Sequence, residues 1–142
     1  MQKRRNVPHP LSHCFTVLLS YCLLITALLI TVLTACATPP RPDPALAVER
    51  YLQAKVSGDA PTVRRLLCSE MESLWQREAY AFETASQPHL EGLSCQHRGE
   101  SQIVDCQGTI QADYAGEQTE FPLGAYRVIW EAGEWKWCGE EK

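Results

Sequence analysis

Val-Asp-Cys-Gln-Gly-Thr-Ile-Gln-Ala-Asp-Tyr, residues 104–114, is the stretch that decides the fold class. Apolar or small side chains occupy its even positions and mostly polar side chains its odd positions. Because successive side chains of a β-strand point to opposite faces of a sheet, this period of two predicts a half-buried antiparallel strand. One face of the strand should pack on a core and the other should meet water.

The same period continues on both sides of this strand. Upstream, residues 93–97 alternate in the same way, and the polar turn 98–102 joins the two strands. Downstream, the apolar residues fall on odd positions over 121–125 and on even positions over 126–130. This change of phase predicts a β-bulge, with Gly124 as its place.

A last strand is predicted at residues 135–138, after the turn 131–134. The C-terminal half of the chain should therefore form about four antiparallel strands.

Residues 45–56 have a helical period instead, with apolar side chains three and four positions apart. Asp43 and Pro44 are suited to the start of a helix, and Gly58 is suited to its end. The sequence therefore predicts a first helix between these signals.

Two further helices are predicted before the strands. Asp59 is a suitable N-cap and Pro61 fits the first turn of a short second helix. Ser69 and Glu72 have the spacing of a capping box and predict a third helix, with Pro88 closing the helical half. The predicted fold class is α+β, with three N-terminal helices on a curved antiparallel sheet of about four strands.

The N-terminus has the pattern of an export signal. Lys3, Arg4 and Arg5 precede a stretch without charged residues from position 14 to position 38. Its end, Leu33-Thr34-Ala35-Cys36, resembles the lipobox of bacterial lipoproteins. This resemblance implies that residues 1–35 are a signal peptide and that the sulfur of Cys36 receives diacylglycerol.

An uncleaved transmembrane anchor is the alternative, because the uncharged stretch is long enough to span a bilayer. Both interpretations place the rest of the chain outside the cytoplasm, since the three basic residues at the N-terminus should stay inside. We expect a location at the cell membrane or the outer membrane, facing the periplasm or the exterior.

Residues 36–44 combine the candidate acylated cysteine with a proline-rich tether, and residues 45–142 form one domain by length. Three of the 13 basic residues lie in the leader, so the chain after Cys36 carries 10 basic residues against all 17 acidic ones. Such a surface repels phosphate backbones, so we expect no nucleic-acid partner.

Four cysteines belong to the domain, and an even number in an exported domain predicts two disulfides with three possible pairings. These are Cys68, Cys95, Cys106 and Cys138. A hairpin symmetric about 99–102 places Cys95 opposite Cys106, which would leave Cys68 to pair with Cys138. We expect no metal site, because no pair has zinc-ribbon spacing and only His97, near Cys95, keeps that alternative open.

Four segments together resemble the nuclear transport factor 2-like, or SnoaL-like, superfamily. They are Ala47–Ala54, Gly58-Asp59, Leu66–Cys68 and the closing Gly133-Glu134-Trp135-Lys136-Trp137. The resemblance implies helices packed into the concave face of a curved sheet, which together form a cone. That superfamily includes isomerases, dehydratases, cyclases and members without any reaction, so the fold does not choose a function.

We expect no catalysis and no cofactor, because no Ser-His-Asp order, phosphate loop or metal-binding helix appears. A SnoaL-like isomerase or hydratase remains the enzymatic alternative. Aromatic side chains are the candidates for the lining of a pocket in the cone: Tyr51, Trp75, Tyr114, Tyr126, Trp130, Trp135 and Trp137.

The sequence thus predicts a lipid-anchored, extracytoplasmic, non-catalytic domain with a binding or assembly role in the bacterial envelope. Its expected partners are the membrane, through the anchor, and either an envelope protein or a small apolar ligand. An empty cone would favour a ligand carrier. A filled core with an exposed apolar patch would favour protein interaction.

Overall fold

The structure is a computed structural model, and it describes residues 40–141. The predicted signal peptide 1–35, the candidate acylation site Cys36 and the first part of the tether lie outside the described residues. Within 40–141, no helix is both long enough and apolar enough to cross a membrane.

The first two helices begin and end where the sequence predicts. Helix α1 spans Pro44–Ser57 and helix α2 spans Ala60–Leu66. The Asp43 carboxylate accepts a hydrogen bond from the Ala45 backbone N–H, and Asp59 accepts one from Thr62 N–H. Gly58 ends α1 with a left-handed φ of 70°, a conformation that glycine adopts without a steric penalty.

The third helix differs from the prediction, because it is short and in two parts. A 3-10 helix spans Ser69–Leu74, and helix α3 spans Trp75–Ala79. The predicted capping box does not form, since both the hydroxyl and the backbone N–H of Ser69 bond to the Glu131 carboxylate, at 2.6 and 2.9 Å. A distant partner has thus replaced the local one.

The sheet has five strands rather than four. They are β1 (Ser86–His97), β2 (Ile103–Tyr114), β3 (Glu117–Pro122), β4 (Ala125–Glu131) and β5 (Glu134–Glu140). Their order is β1-β2-β4-β5, and β3 also pairs with β2, on the same side as β4. Pro88 lies inside β1 instead of closing the helical half, which an edge strand tolerates because its outer amides have no strand partner.

The predicted third strand is divided into β3 and β4 by a change of register. Thr109 lies opposite Pro122, whereas Asp105 lies opposite Ala125. Three residues of β2, 106–108, therefore face only two, 123–124, and the extra residue is on β2. The register shift is at the predicted place, near Gly124. The extra residue, however, belongs to β2 and not to the strand that contains Gly124.

Gly108 makes the bend of the sheet possible. It has a φ of 108°, and a Cβ built on it would lie 2.5 Å from the Glu91 carbonyl oxygen of β1. Any side chain there would force the two strands apart. A neighbouring register shift in β1, between Glu91 and Ser94, bends the sheet at the same level.

Two disulfides join the same cysteine pairs that the hairpin register predicts. Cys95 lies directly opposite Cys106, with their Cα atoms 4.1 Å apart. Cys68 is bonded to Cys138 across 70 residues, with their Cα atoms 5.3 Å apart. The second bond fastens the end of the α2 segment to β5.

We expect the Cys68–Cys138 disulfide to contribute more stability than the hairpin disulfide. The loop lengths of 70 and 11 residues correspond to about 4 and about 3 kcal/mol in the chain-entropy model. Urea denaturation of Cys68→Ala/Cys138→Ala and Cys95→Ala/Cys106→Ala variants of the full chain measures both values. A larger loss from the hairpin pair would contradict this order.

Candidate functional site

The concave face of the sheet is filled by three aromatic side chains. Tyr51 of α1 stacks on Trp137 of β5, with ring centroids 4.4 Å apart and planes 12° apart. Tyr126 of β4 lies 6.4 Å from the same indole. All three are buried. The period of three and four in α1 and the period of two in β4 and β5 direct them to this shared space.

A small cavity of about 120 Å³ remains beside this stack. Ile110, Tyr126 and Trp137 contribute to its wall, and Phe82 and Phe121 meet edge to face at 5.7 Å on its outer side. A volume of this size corresponds to about four water molecules. It is well below the roughly 300–1,000 Å³ of typical small-molecule sites.

A buried carboxylate, Glu78 of α3, lies behind the aromatic stack. Its Oε2 accepts hydrogen bonds from the Tyr51 hydroxyl at 2.8 Å and from Lys55 Nζ at 2.7 Å. Its Oε1 accepts from Arg77 at 3.1 Å. The residue is only 6% exposed. Both of its oxygens are therefore engaged.

These contacts keep Glu78 ionised and Tyr51 protonated at neutral pH. Burial raises the pKa of Glu78, but the hydrogen bond and charge of Lys55, with the bonds from Tyr51 and Arg77, outweigh it and lower that pKa below 4.5. Burial first, and then the charge of Glu78, raise the pKa of Tyr51 far above its ordinary range. Neither group is suited to accept a proton from a substrate or to donate one to it at neutral pH.

One buried donor in the cone lacks a partner within the part of the chain that the structure describes. It is the indole Nε1–H of Trp137, a residue that is 4% exposed and lines the small cavity. An N–H group in such a place is destabilising unless a water or a ligand accepts its hydrogen bond.

Of the seven aromatic residues expected to line a pocket, the structure brings together Tyr51, Tyr126 and Trp137. The other four lie elsewhere. Trp75 packs under the Arg64 guanidinium, and Trp130 and Trp135 lie together near Pro42. Tyr114 is half-buried at the end of β2.

Sequence reasoning missed Lys55, Glu78, Phe82 and Phe121. Glu78 left one signal, since it interrupts an otherwise apolar stripe of helical spacing. Its partners Tyr51 and Lys55 come from α1, 27 and 23 residues away. No local pattern connects them.

A second groove, of about 280 Å³, lies beside the Phe82–Phe121 contact. It is bordered by Lys55–Gly58 at the end of α1, by Ala79, Tyr80 and Phe82, and by Pro88. Lys55 and Phe82 line both this groove and the small cavity. Tyr80, which borders the groove, is 48% exposed, and Phe121, which borders the small cavity, is 38% exposed. We call Tyr80, Phe82 and Phe121 the mouth aromatics.

An open groove of about 440 Å³ between α2 and the β4–β5 turn is a weaker candidate. Its charged side chains already have partners: Arg64 with Glu72, Lys136 with Glu134. These charges are therefore already compensated by neighbouring side chains, so they do not indicate a binding site for a charged ligand.

Among residues 40–141, no three His, Cys, Asp or Glu side chains are grouped so that they could hold a metal ion. The sulfur of Cys95 is bonded to Cys106, and His97 Nε2 lies 2.6 Å from the Ser101 carbonyl oxygen. Cys95 and His97, the residues that kept a zinc site as an alternative, thus form a disulfide and a hydrogen bond instead.

No protein-family model matches the chain, and no curated protein is similar to it. Two similar solved structures are both NTF2 or NTF2-like by name. A five-substitution variant of Rd1NTF2_05 is 16% identical, with 63% of this chain and 86% of that chain covered and a TM-score of 0.48. An NTF2-like protein of unknown function in nutrient uptake from Rhodospirillum rubrum is 19% identical, with 70% and 96% covered and a TM-score of 0.47.

We expect Glu78→Gln to lower the free energy of unfolding by about 3 kcal/mol at neutral pH. Glutamine keeps the shape of the side chain but leaves Lys55, whose side chain is 17% exposed, without its counter-charge. The matched control is Glu72→Gln, whose partner Arg64 is 56% exposed and whose loss should be below about 1 kcal/mol. Urea denaturation measures both, and equal losses would contradict the buried role of Glu78.

The difference between the wild type and Glu78→Gln should depend on pH. The pKa of Glu78 is lower in the folded chain than its ordinary value of 4.5, so the stability it contributes is complete above pH 4.5 and is lost as the pH falls through the folded value. The two free energies should therefore converge in acid. Other carboxyls with lowered pKa, such as Asp59 and Asp105, cancel in this comparison.

Proposed function

We propose that this chain is a lipid-anchored NTF2-like domain on the outer side of a bacterial membrane, which binds a polypeptide at its mouth aromatics and catalyses no reaction. One observation carries the proposal: the cone is filled by its own aromatic stack, while Tyr80 and Phe121 are exposed beside it. A filled core with an exposed apolar patch is the arrangement expected of an interaction domain.

The groups inside the cone favour binding over catalysis. Glu78 is held by Lys55, Arg77 and Tyr51, and the raised pKa of Tyr51 keeps its proton in place. A general base needs both access to substrate and a pKa near the working pH. Neither titratable group meets these conditions.

The dimensions of the mouth suit a polypeptide better than a small apolar ligand. The cavity and groove, about 120 and 280 Å³, are each too small to enclose most of a typical ligand but can take single side chains. Strand β3, which carries Phe121, pairs with β2 and with no other strand in the described part of the chain. Its outer edge can accept an added strand.

Charge defines the partner further. Glu117 and Glu120 lie on β3, Glu83 borders the groove and Glu140 borders the cavity. An extended apolar segment flanked by Lys or Arg would meet complementary charge there. We therefore propose an envelope protein with such a segment as the partner.

The proposed location rests on the lipobox-like stretch that ends in Cys36 and on the two disulfides. Disulfides persist in the oxidising compartments outside the cytoplasm. An uncleaved N-terminal anchor would give the same location with a different attachment.

A small ligand is the second candidate, and the unpartnered Trp137 Nε1–H favours it. Such a ligand would carry a hydrogen-bond acceptor and have the volume of a few water molecules. Native mass spectrometry of the membrane-extracted chain should then show an adduct that Trp137→Phe removes.

The polypeptide proposal is tested by a photo-crosslinking amino acid placed at Tyr80 or at Phe121 in living cells. We expect one and the same polypeptide adduct from both positions, and its loss when Phe82 is also changed to Ser, because apolar contact at the mouth holds the partner. Glu100, exposed in the 98–102 turn, is the control position. Equal labelling from Glu100, or no shared adduct, would refute the proposal.

The anchor is tested separately by Cys36→Ser. We expect the wild type to fractionate with membranes and to show the mass of a diacylated, acylated N-terminal cysteine. The variant should keep its leader, because the acylated sulfur is missing. If the membrane-bound wild type retains Met1 and its Cys36 is unmodified, the lipid anchor is refuted and a transmembrane anchor is favoured.

A further inference from the structure

The end of the domain at which the tether enters carries a second aromatic cluster. Trp130 and Trp135 face each other across the β4–β5 hairpin and meet edge to face at 5.5 Å. Trp135 Nε1–H donates to the Pro42 carbonyl at 2.8 Å, and the Arg41 guanidinium lies 5.1 Å over the Trp130 ring. We call Arg41, Trp130 and Trp135 the tether-end cluster.

This cluster is separate from the proposed binding site. Both indoles are half-buried, and Arg41 and Pro42 are exposed. The acidic residues of the same hairpin are already engaged, Glu131 by Ser69 and Glu134 by Lys136. Two half-exposed indoles and one exposed arginine therefore lie together at this end.

We propose that the tether-end cluster seats the domain on the headgroup layer of the bilayer. Trp and Arg side chains combine an apolar body with a polar tip, and they are favoured at membrane interfaces for that reason. The proposal rests on the proposed membrane anchoring at Cys36. Arg41 is five residues after Cys36, so the extended chain allows at most about 18 Å between their Cα atoms.

The lipid surface that fits is zwitterionic. The chain after Cys36 has 10 basic against 17 acidic residues, so an anionic surface would repel it as a whole. Indole insertion into the headgroup layer needs no net lipid charge. The exposed guanidinium of Arg41 is suited to bind a lipid phosphate.

Seating at this cluster orients the proposed binding site. Helix α1 begins beside Pro42 and its 14 residues span about 21 Å. Its other end, Lys55–Gly58, borders the groove with Tyr80 and Phe82. The mouth aromatics would therefore face away from the membrane, toward partners in the surrounding compartment.

The full chain, extracted from membranes and reconstituted into phosphatidylcholine vesicles, tests this proposal by fluorescence quenching. Lipids brominated near the headgroup should quench tryptophan more strongly than lipids brominated near the chain ends. Trp130→Phe/Trp135→Phe should lower the quenched fraction about twofold or more, because these indoles enter the interface. Trp75→Phe is the matched control and should leave most of the quenching in place.

The outcomes separate this inference from the anchoring proposal. If Cys36 is acylated but lipids brominated near the headgroup do not quench the wild type more strongly, the proposed contact of the cluster with the headgroup layer is refuted. The lipid anchor is then still supported. Shallow quenching that the double variant removes supports the seat even if intact mass shows an unmodified Cys36. Quenching that the double variant leaves unchanged, or that requires phosphatidylglycerol in the vesicles, also overturns it. Far-UV circular dichroism verifies the fold of each variant.

Discussion

The stack of Tyr51 on Trp137 is the contact on which the rest of the domain depends, because it joins the helical layer to the sheet. Trp137 is held in place from both sides of β5: Val128 lies opposite it on β4, and its carbonyl accepts the Cys68 backbone N–H. The Cys68–Cys138 bond then covalently fixes the same junction. The chain segment around Leu67 also pairs with the outer edge of β5, which protects that edge from other strands.

Filling the cone in this way limits what the cone can do. Three aromatic side chains occupy the space over the sheet in which a ligand could be held. The charges of Glu78 and Lys55, which lie behind them, neutralise one another. Glu78 is useful to the fold only while Lys55 faces it, since a buried carboxylate without a counter-charge is strongly destabilising. Our proposal therefore places binding outside the cone, at the mouth aromatics, of which Tyr80 and Phe121 are exposed.

The sequence predicted features that depend on local period and on short loops. The alternation of residues 104–114, the caps at Asp43 and Asp59 and the opposition of Cys95 to Cys106 all follow from neighbours along the chain or across one tight turn. Features set by distant partners were not predictable in the same way. Ser69 could not cap a helix because Glu131, 62 residues later, takes its hydrogen bonds, and Glu78 was recognised only as an interruption of a stripe.

The β-bulge shows why a sequence pattern can predict where the register shifts without predicting which of the two paired strands has the extra residue. A phase change along 121–130 reports that the register shifts, but either of two paired strands can supply the additional residue. Gly108 decides between them, because at a φ of 108° and with the Glu91 carbonyl 2.5 Å from its would-be Cβ, only glycine fits there. The extra residue therefore lies on β2, the central strand that pairs with β1, β3 and β4, and the register shift of β1 lies at the same level.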